Sequence, residues 1–326
     1  MHAIRMALIL LLLVVATVGC GNSNDFTVEG KLNVVTSFYP LYDFAQKIGG
    51  EHVNIVNLVP AGIESHDWSP KPRDMSNIAK ADVFIYNGAG FEGWVEDFLD
   101  SLKKESTLLV VEAIHDVELI EIGKEVHEEE GHEEEGHEEE GQEEGQEEEH
   151  DHGDVDPHAW ISPLQAKVIA GTIKEHLIEA DPTHKNDYET NYNLLADRLQ
   201  QLHDQLTEIV KEAPKKELVV SHEAFGYIAR DYGITQFGVM GLSPDSEPTV
   251  QRMKEITEYA KEHEIKYILF EELVSPKLAE TLAQTLDIET LVLNPIEGLT
   301  EEQAKANEDY FTIMKYNLTT IEKALQ

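Results

Sequence analysis

The alternation of short β-rich runs with helical patterns constrains the fold of this chain more than any other feature. The predicted strands are 33–38, 53–59, 82–86, 107–111, 217–220, 234–239, 267–270 and 290–293. The helical patterns between them include 41–48, 91–103, 249–263 and 276–286. Strands separated by helices of this length form βαβ units. We therefore expect an α/β fold of two lobes, each with a mainly parallel four-stranded sheet flanked by helices.

A long amphipathic segment, 181–213, separates the two groups of strands. It begins with Asp181-Pro182, which is typical of a helix N-terminus. Its apolar residues then recur at steps of four and three, at Leu195, Leu199, Leu202, Leu206 and Ile209. A helix of ~30 residues is ~45 Å long. We expect it to join an N-terminal lobe at 31–180 to a C-terminal lobe at 214–326, the alternative being a surface helix of one lobe.

The N-terminus has the layout of a secretory signal. Residues 1–19 contain an unbroken apolar run from Met6 to Val18, which is too short to span a bilayer comfortably. Cys20 follows, and Ala16-Thr-Val-Gly-Cys20 resembles a bacterial lipoprotein processing site. We expect lipidation of Cys20, a polar tether at 20–30 and attachment to the cell membrane. Because Cys20 is the only cysteine, an internal disulfide is excluded.

The segment 125–156 is extremely acidic and rich in histidine. It holds 18 acidic residues and five histidines without any Lys or Arg, and HEEEG occurs in it three times. Like charges at this density repel, so we predict a mobile loop. The accessory metal-binding candidates are His127, His132, His137, His150 and His152. The net charge of −39, with no basic patch, excludes nucleic acid as a partner.

Metal-competent side chains follow several of the predicted strands. His66 follows the strand at 53–59, His222 follows 217–220, and Glu297 follows 290–293. His158 lies just before a helix, in the motif Asp156-Pro-His158. Ligands of open α/β sheets bind beyond the carboxyl ends of the strands. Since each lobe supplies two of these four side chains, we expect a metal site in the cleft between the lobes.

Four motifs carry a resemblance to a known family. They are PAGIESHDWSPKPRD at 60–74, DVDPHAWISP at 154–163, SHEAFGYIARDYG at 221–233 and LNPIEGLT at 293–300. From about Asn33 onward the chain resembles the bacterial zinc-binding lipoproteins that feed ABC importers, the ZnuA/AdcA group. The resemblance implies two α/β lobes bridged by one helix. It also implies a metal site formed by four ligands, His66, His158, His222 and Glu297.

Three imidazoles and one carboxylate suit Zn²⁺, whereas manganese prefers more oxygen. The manganese-binding branch of the family, which this chain also resembles, has a carboxylate at the position of His222. Because the chain resembles both branches, a manganese-preferring protein of the same family is an alternative function, although His222 favours zinc. Glu271 is the second candidate for the carboxylate ligand. Asp67, Glu223 and Glu271 are candidates for carboxylates that orient the histidines.

The implied function is extracytoplasmic zinc capture and delivery to an ABC permease and its ATPase, by a protein that we expect to be monomeric. We do not expect an enzyme. His127 and His132 are five residues apart, unlike the HExxH pair of metalloproteases. Four protein ligands also leave no open position for a catalytic water. A surface adhesin or a metal sequestrant without a transporter partner is the remaining alternative.

Overall fold

The computed structural model describes residues 26–102, 106–122, 155–244 and 248–326. The predicted signal, Cys20 and the five accessory histidines lie outside these described residues. The described residues form two parallel four-stranded sheets flanked by helices with a long helix between them, which confirms the predicted fold class. The lobe boundaries proposed from the sequence stay a prediction.

The first lobe is built on a parallel sheet. Its elements in chain order are β1 (Leu32–Thr36), α1 (Tyr39–Gly49), β2 (Val53–Asn57), α2 (Pro72–Ile78), β3 (Val83–Tyr86), α3 (Val95–Ser101) and β4 (Leu109–Glu112). The strands lie in the order β2-β1-β3-β4. Four of the five residues of β1 are buried, as expected for a parallel strand covered on both faces. The helix predicted at 91–103 begins only at Val95, because turns and bends occupy 91–94.

A short antiparallel ribbon follows the first sheet. It pairs β5 (Ile120–Glu121) with β6 (Val155–Asp156). The mobile loop predicted at 125–156 is therefore wrong at its last two residues, which belong to a strand. Asp156 is buried there, and its carbonyl accepts a hydrogen bond of 2.7 Å from the Tyr227 hydroxyl. Strands of two residues are too short to give a periodic sequence pattern.

Two long helices follow, α4 (Pro163–Ala180) and α5 (Lys185–Glu212). The predicted helix at 181–213 corresponds to α5, which begins later than expected. Asp181 accepts a hydrogen bond from the backbone of Thr183 and caps a separate 3₁₀ turn, Pro182–His184. The predicted apolar stripe of α5 is buried at Leu195, Leu199, Leu202 and Leu206.

The second lobe is built on the other parallel sheet. Its elements are β7 (Glu217–Val220), α6 (Gly226–Tyr232), β8 (Thr235–Gly238), α7 (Val250–Glu262), β9 (Tyr267–Phe270), α8 (Lys277–Leu286), β10 (Glu289–Val292), α9 (Glu301–Ala306) and α10 (Tyr310–Ala324). The strands lie in the order β10-β9-β7-β8. Helix α5 packs on α1 and α4 of the first lobe and also on α10 of the second. It therefore belongs to neither lobe alone.

The two sheets share one topology. In each sheet the first strand of the lobe lies between the second and the third, and the fourth lies beyond the third. The strand order thus reverses between β1 and β3 in the first sheet and between β7 and β9 in the second. Ligands of open α/β sheets bind at the carboxyl ends of strands where this reversal opens a crevice. The same point of each sheet is therefore available for a functional site.

Candidate metal centre

Three imidazole rings and one carboxylate converge in the cleft between the lobes. His66, His158, His222 and Glu297 each offer a ligand atom, and all four atoms lie within 4.8 Å of one another. The four residues are buried, with His158 and His222 fully enclosed. The structure thus brings together all four side chains that the sequence predicts as ligands.

Each of the four side chains is held by a different part of the fold. His66 lies in the loop between β2 and α2, and His158 lies two residues after β6. His222 is the second residue after β7, at the reversal point of the second sheet. Glu297 lies in the loop between β10 and α9. A metal bound here would contact elements of both sheets.

Four of the distances between ligand atoms in the cluster match those of a tetrahedral zinc site. Oε1 of Glu297 lies 3.3 Å from Nε2 of His66 and 3.5 Å from Nε2 of both His158 and His222. Nε2 of His158 lies 3.4 Å from Nε2 of His66. Ligand atoms placed 2.0–2.2 Å from a tetrahedral zinc ion lie about 3.4 Å apart. The side chains therefore stand close to the geometry that zinc requires.

Two of the histidine rings form hydrogen bonds to carboxylates through Nδ1, the ring nitrogen that faces away from the cluster. His158 donates from Nδ1 and from its backbone N–H to Oδ1 of Asp156, both at 2.9 Å. His222 donates from Nδ1 to Oε1 of Glu271 at 2.6 Å, and the Ser221 hydroxyl donates to the same oxygen. In the neutral rings such bonds place the proton on Nδ1 and aim the lone pair of Nε2 into the cluster. Both rings are thus oriented for a metal before it binds.

Asp156 is a functional residue that the sequence predictions missed. Its signal was its position two residues before His158, within the DPH motif. The motif SHEAFGYIARDYG contributes to the same contact, because a side chain at Gly226 would collide with Oδ2 of Asp156. Gly226 therefore allows β6 to approach α6 closely.

The titratable groups of the cluster shift one another's pKa values. Burial lowers the pKa of His66, although Glu297 acts in the opposite direction. Burial favours the neutral form of His222 and so acts to lower its pKa. Glu271 and Glu297 outweigh this effect and hold the pKa of His222 well above its usual value. Burial disfavours the carboxylate of Glu297, yet the three histidines overcome this and hold its pKa well below the usual range. The metal-free cluster is therefore a charged network of imidazole and carboxylate.

A second missed residue, Glu64, lies beside the cluster. Burial and the nearby Glu297 raise the pKa of Glu64 to about 9, so its carboxyl group is protonated at neutral pH. Its Oε1 accepts a hydrogen bond of 3.1 Å from the backbone of His66. Glu64, Glu271 and Glu297 line the same small cavity. No sequence pattern distinguishes Glu64, because this contact depends on how the loop at 60–66 folds against the second lobe.

Two of the predicted orienting carboxylates point away from the cluster. Asp67 is exposed on the surface next to His66. Glu223 forms an ion pair of 3.0 Å with Arg252. Both are candidates from the sequence for carboxylates that orient the histidines, and each follows a candidate histidine along the chain. Neighbours along an irregular loop point in different directions, so a carboxylate next to His66 or His222 in sequence need not face the cluster.

The loop that carries Glu297 is bonded to the first lobe as well as to the second. The carbonyl of Glu297 accepts a hydrogen bond of 3.0 Å from the Ser65 hydroxyl. The carbonyl of Leu299 accepts a hydrogen bond of 2.7 Å from the backbone N–H of Gly62. The indole of Trp160 donates 2.8 Å to the carbonyl of Pro295. These bonds fix Glu297 against the loops of His66 and His158.

A two-lobed α/β fold with a buried, nitrogen-rich cluster in its cleft defines the class of metal solute-binding proteins. A family model described as "Zinc-uptake complex component A periplasmic", ZnuA, matches residues 34–324. The chain belongs to the ZnuA family. This confirms the resemblance inferred from the four sequence motifs. The description of that model is of a periplasmic component of a zinc-uptake complex.

Two curated relatives show the range of the family. The chain is 39% identical over 310 residues to the high-affinity zinc uptake system protein ZnuA of Bacillus subtilis, covering 94% of this chain and 92% of the relative. It is 38% identical over 307 residues to the zinc-binding lipoprotein AdcA of Streptococcus pneumoniae. That match covers 92% of this chain but 57% of AdcA. The chain thus spans little more than half of the AdcA relatives that it matches.

Solved structures agree with this assignment. The Zn(II)-bound ZnuA-like domain of Streptococcus pneumoniae AdcA superposes with a TM-score of 0.74 at 35% identity, over 91% of this chain and 99% of the domain. The laminin-binding protein Lmb of Streptococcus agalactiae, described as having adhesin and metal-transporting activity, gives 0.75 at 27% identity, over 90% of this chain and 100% of Lmb. Among the described residues, no helix combines the length and apolarity needed to cross a membrane.

Proposed function

We propose that this chain captures Zn²⁺ outside the cytoplasm and delivers it to an ABC import permease. In this proposal the zinc ion is cargo, held by His66, His158, His222 and Glu297 until it is handed over. One observation carries the proposal, namely the convergence of three buried imidazole nitrogens at 3.3–3.5 Å from Oε1 of Glu297. The zinc-related names of the relatives support the choice of cargo.

The donor set supports zinc over manganese. Three imidazole nitrogens and one oxygen are a typical tetrahedral set for Zn²⁺, whereas manganese favours oxygen-rich sites of higher coordination number. We assign the carboxylate ligand to Glu297 and not to Glu271. Oε1 of Glu271 is already bonded to the far nitrogen of His222, so this side chain acts on the orientation of a ligand.

We propose transport and not catalysis. Four protein ligands complete a tetrahedral zinc site and leave no position for a metal-bound water. An adhesin role is the second candidate, because the laminin-binding structure shares this fold. The zinc-uptake relatives are more similar in sequence, at 38–39% identity against 27%. Adhesion therefore remains the weaker alternative, as does metal sequestration without a permease.

The location and the partners complete the proposal. We propose that the leader at 1–19 is removed, that Cys20 is lipidated, and that the mature protein works as a membrane-anchored monomer with a permease and its ATPase. The accessory histidines at 127–152 then form a weak collecting zone outside the tight site. Release of a Cys20→Ala protein from the membrane fraction supports the anchor, and retention contradicts it.

Glu297→Gln tests the ligand set most simply. The amide is a poor zinc ligand, so we expect zinc affinity to fall by more than about 100-fold, beyond the loss typical for groups that only orient ligands. Asp67→Asn is the matched control, because it also removes one negative charge near the cleft but is exposed. Competition with a chelator of known affinity measures both. Unchanged affinity in Glu297→Gln would overturn the assignment.

Delivery is tested in cells. A strain that lacks this gene should grow poorly in zinc-depleted medium, and the wild-type gene should restore growth. The Glu297→Gln gene should fail to restore it although the protein accumulates. Normal growth of the deletion strain in zinc-depleted medium would favour adhesion or sequestration.

A further inference from the structure

A tight turn after β3 contains a carboxylate that zinc binding does not directly use. The turn runs through Gly88, Ala89 and Gly90, which all have positive φ angles, of 94°, 52° and 75°. The φ of Gly88 is one that residues with a side chain rarely adopt, so the turn favours glycine there. Glu92 follows the turn at the reversal point of the first sheet, between the ends of β1 and β3.

The carboxylate of Glu92 gathers three hydrogen bonds. Its Oε1 accepts a hydrogen bond of 2.5 Å from the Ser37 hydroxyl and one of 2.8 Å from the backbone N–H of Asn87. Its Oε2 accepts a hydrogen bond of 3.2 Å from the backbone N–H of Gly88. Part of the residue reaches the surface, but burial of the carboxylate raises the pKa of Glu92 to about 7. Glu92 thus ties the end of β1 to the turn that follows β3.

This turn contacts the zinc site at two places. The ring of Phe91 packs edge-on against His66 at 4.9 Å between centroids, and its centroid lies 6.2 Å from that of His158. The buried side chain of Asn87 donates 3.0 Å to the carbonyl of Pro157, the residue before His158. His66 and His158 are therefore in contact with the turn that Glu92 stabilises, through Phe91 and Asn87.

We propose that Glu92 is a positioning residue for the zinc site, acting through Phe91 and Asn87 on His66 and His158. This inference rests on the proposed function, because it assumes that these histidines bind zinc. Glu92 is not itself a ligand. Among the described residues it lies outside the one group of side chains spaced to hold a metal, and its oxygens are occupied by three donors.

The chemistry of the contact requires two acceptor oxygens. In its ionised form the Glu92 side chain only accepts, so both of its oxygens satisfy the hydroxyl and the two backbone N–H groups. These three hydrogen bonds favour the ionised form against the effect of burial. Glutamine has the same shape but presents an NH₂ group at one position. If its oxygen faces Ser37 and Asn87, its NH₂ faces the N–H of Gly88, and two donors then oppose each other. Glu92→Gln therefore loosens the turn without changing its volume.

Glu92→Gln in the full chain is the test, with Glu96→Gln as the control. Glu96 is four residues away and exposed on α3, so its substitution removes the same charge without touching the turn. We expect Glu92→Gln to weaken zinc binding about tenfold, the lower end of the range for groups that orient ligands. Bound Co²⁺ reports the ligand geometry, so its visible absorption bands should shift. Glu96→Gln should leave affinity and spectrum unchanged.

Ser37→Ala is a second, milder variant. It removes one of the three donors and should give a smaller change in the same direction. Thermal unfolding of the metal-free proteins shows whether each variant is folded. If Glu92→Gln and Ser37→Ala retain wild-type zinc affinity and the wild-type Co²⁺ spectrum, the positioning role is wrong, while the zinc function stands. If Glu297→Gln also retains the affinity, the proposed function itself fails.

Discussion

The reversal points of the two sheets use the same pair of residues for different purposes. Ser37 follows β1 and donates to Glu92, while Ser221 follows β7 and donates to Glu271. The next residue in the chain separates them. In the first lobe it is Phe38, which packs on Phe91 and Trp160 at 4.7 and 4.6 Å between centroids. In the second lobe it is His222, which turns toward the cleft.

The same strand topology therefore places a proposed metal ligand at the reversal point of the second lobe and aromatic packing at that of the first. Glu271 binds directly to His222, a proposed metal ligand, at 2.6 Å, whereas Glu92 binds backbone N–H groups and acts through an aromatic ring. The first lobe supplies its ligands from loops, at His66 and His158. The second lobe supplies His222 from its reversal point. Substitutions at the second reversal point should therefore affect zinc more strongly than those at the first.

His222→Asp should have the largest effect, because it exchanges an imidazole nitrogen for oxygen. We expect zinc affinity to fall by more than about 100-fold, since the change affects a ligand and not its outer partner. Manganese affinity should fall less, so that the preference for zinc narrows. Chelator competition with each metal measures both. His115→Asp, an exposed site, is the control, and an unchanged zinc preference in His222→Asp would contradict the donor argument.

Glu271→Gln should have the next largest effect, about 10- to 100-fold in zinc affinity. The amide accepts the proton of His222 Nδ1 less strongly and leaves the ring less firmly oriented. Glu289→Gln, exposed on β10, removes the same charge as a control. The loss in Glu271→Gln should exceed the loss in Glu92→Gln. The reverse order, measured under identical conditions, would break the comparison between the two reversal points.

Zinc affinity and the stability of the metal-free protein should depend on pH in opposite directions. The pKa of His222 is raised in the folded metal-free protein, so zinc must displace a proton. Zinc affinity should therefore increase up to about tenfold per pH unit for one displaced proton, and level off above that pKa. Without metal, the raised pKa stabilises the fold below the unfolded value of about 6.5. This contribution is lost as pH rises through the folded pKa.

Calorimetry in buffers of different ionisation enthalpy counts the displaced protons, and thermal unfolding follows the stability. His222→Ala should release fewer protons on binding the same metal. A zinc affinity that does not change with pH, or a metal-free protein that becomes more stable as pH rises through neutrality, would contradict the charged network described for the cluster.

Asp309→Ala should have the smallest effect on zinc, because it lies away from both reversal points. Asp309 caps α10 and pairs with Lys47 at 3.2 Å and Arg198 at 3.3 Å, which links α1, α5 and α10. Losing the cap should cost about 1 kcal/mol of stability. Its pKa is lowered to about 2, chiefly by Lys47 against the effect of burial. The contribution is therefore present above the unfolded value of about 3.9 and is lost as pH falls toward 2.

Thermal unfolding and chelator competition check this prediction together. The melting temperature of Asp309→Ala should fall, while its zinc affinity stays within about twofold of the wild type, because sites without shared partners behave independently. A large loss of zinc affinity would mean that the contacts between lobes at α5 control the cluster.

The fold and three of the four candidate ligands were predictable from strand and helix periodicity, and His158 was predictable from the DPH motif before a helix. Strand ends identify His66, His222 and Glu297 once the sheets are known to be parallel. The partners of these ligands were harder to predict. Asp67 and Glu223 were chosen as neighbours in sequence, and the structure directs both elsewhere.

Asp156 and Glu92 were missed for a related reason. Each acts across a contact that exists only after β6 or the turn after β3 has docked against another element. The Asp156 contact also needs Gly226, which lies seventy positions away in the chain. Periodicity describes which face of an element is buried, but it does not describe which loops meet. The details of orientation therefore come from tertiary structure.

X-ray absorption at the zinc edge, on the full mature chain loaded with one equivalent of zinc, tests the central claim most directly. The structure predicts a single shell of four ligands at about 2.0 Å, three of them imidazoles and one a carboxylate oxygen. Glu297→Gln should change this shell, and Asp67→Asn should not. A shell of five or six oxygen-rich ligands, or one with fewer than three imidazoles, would contradict the claim that zinc is held by both lobes in the cleft.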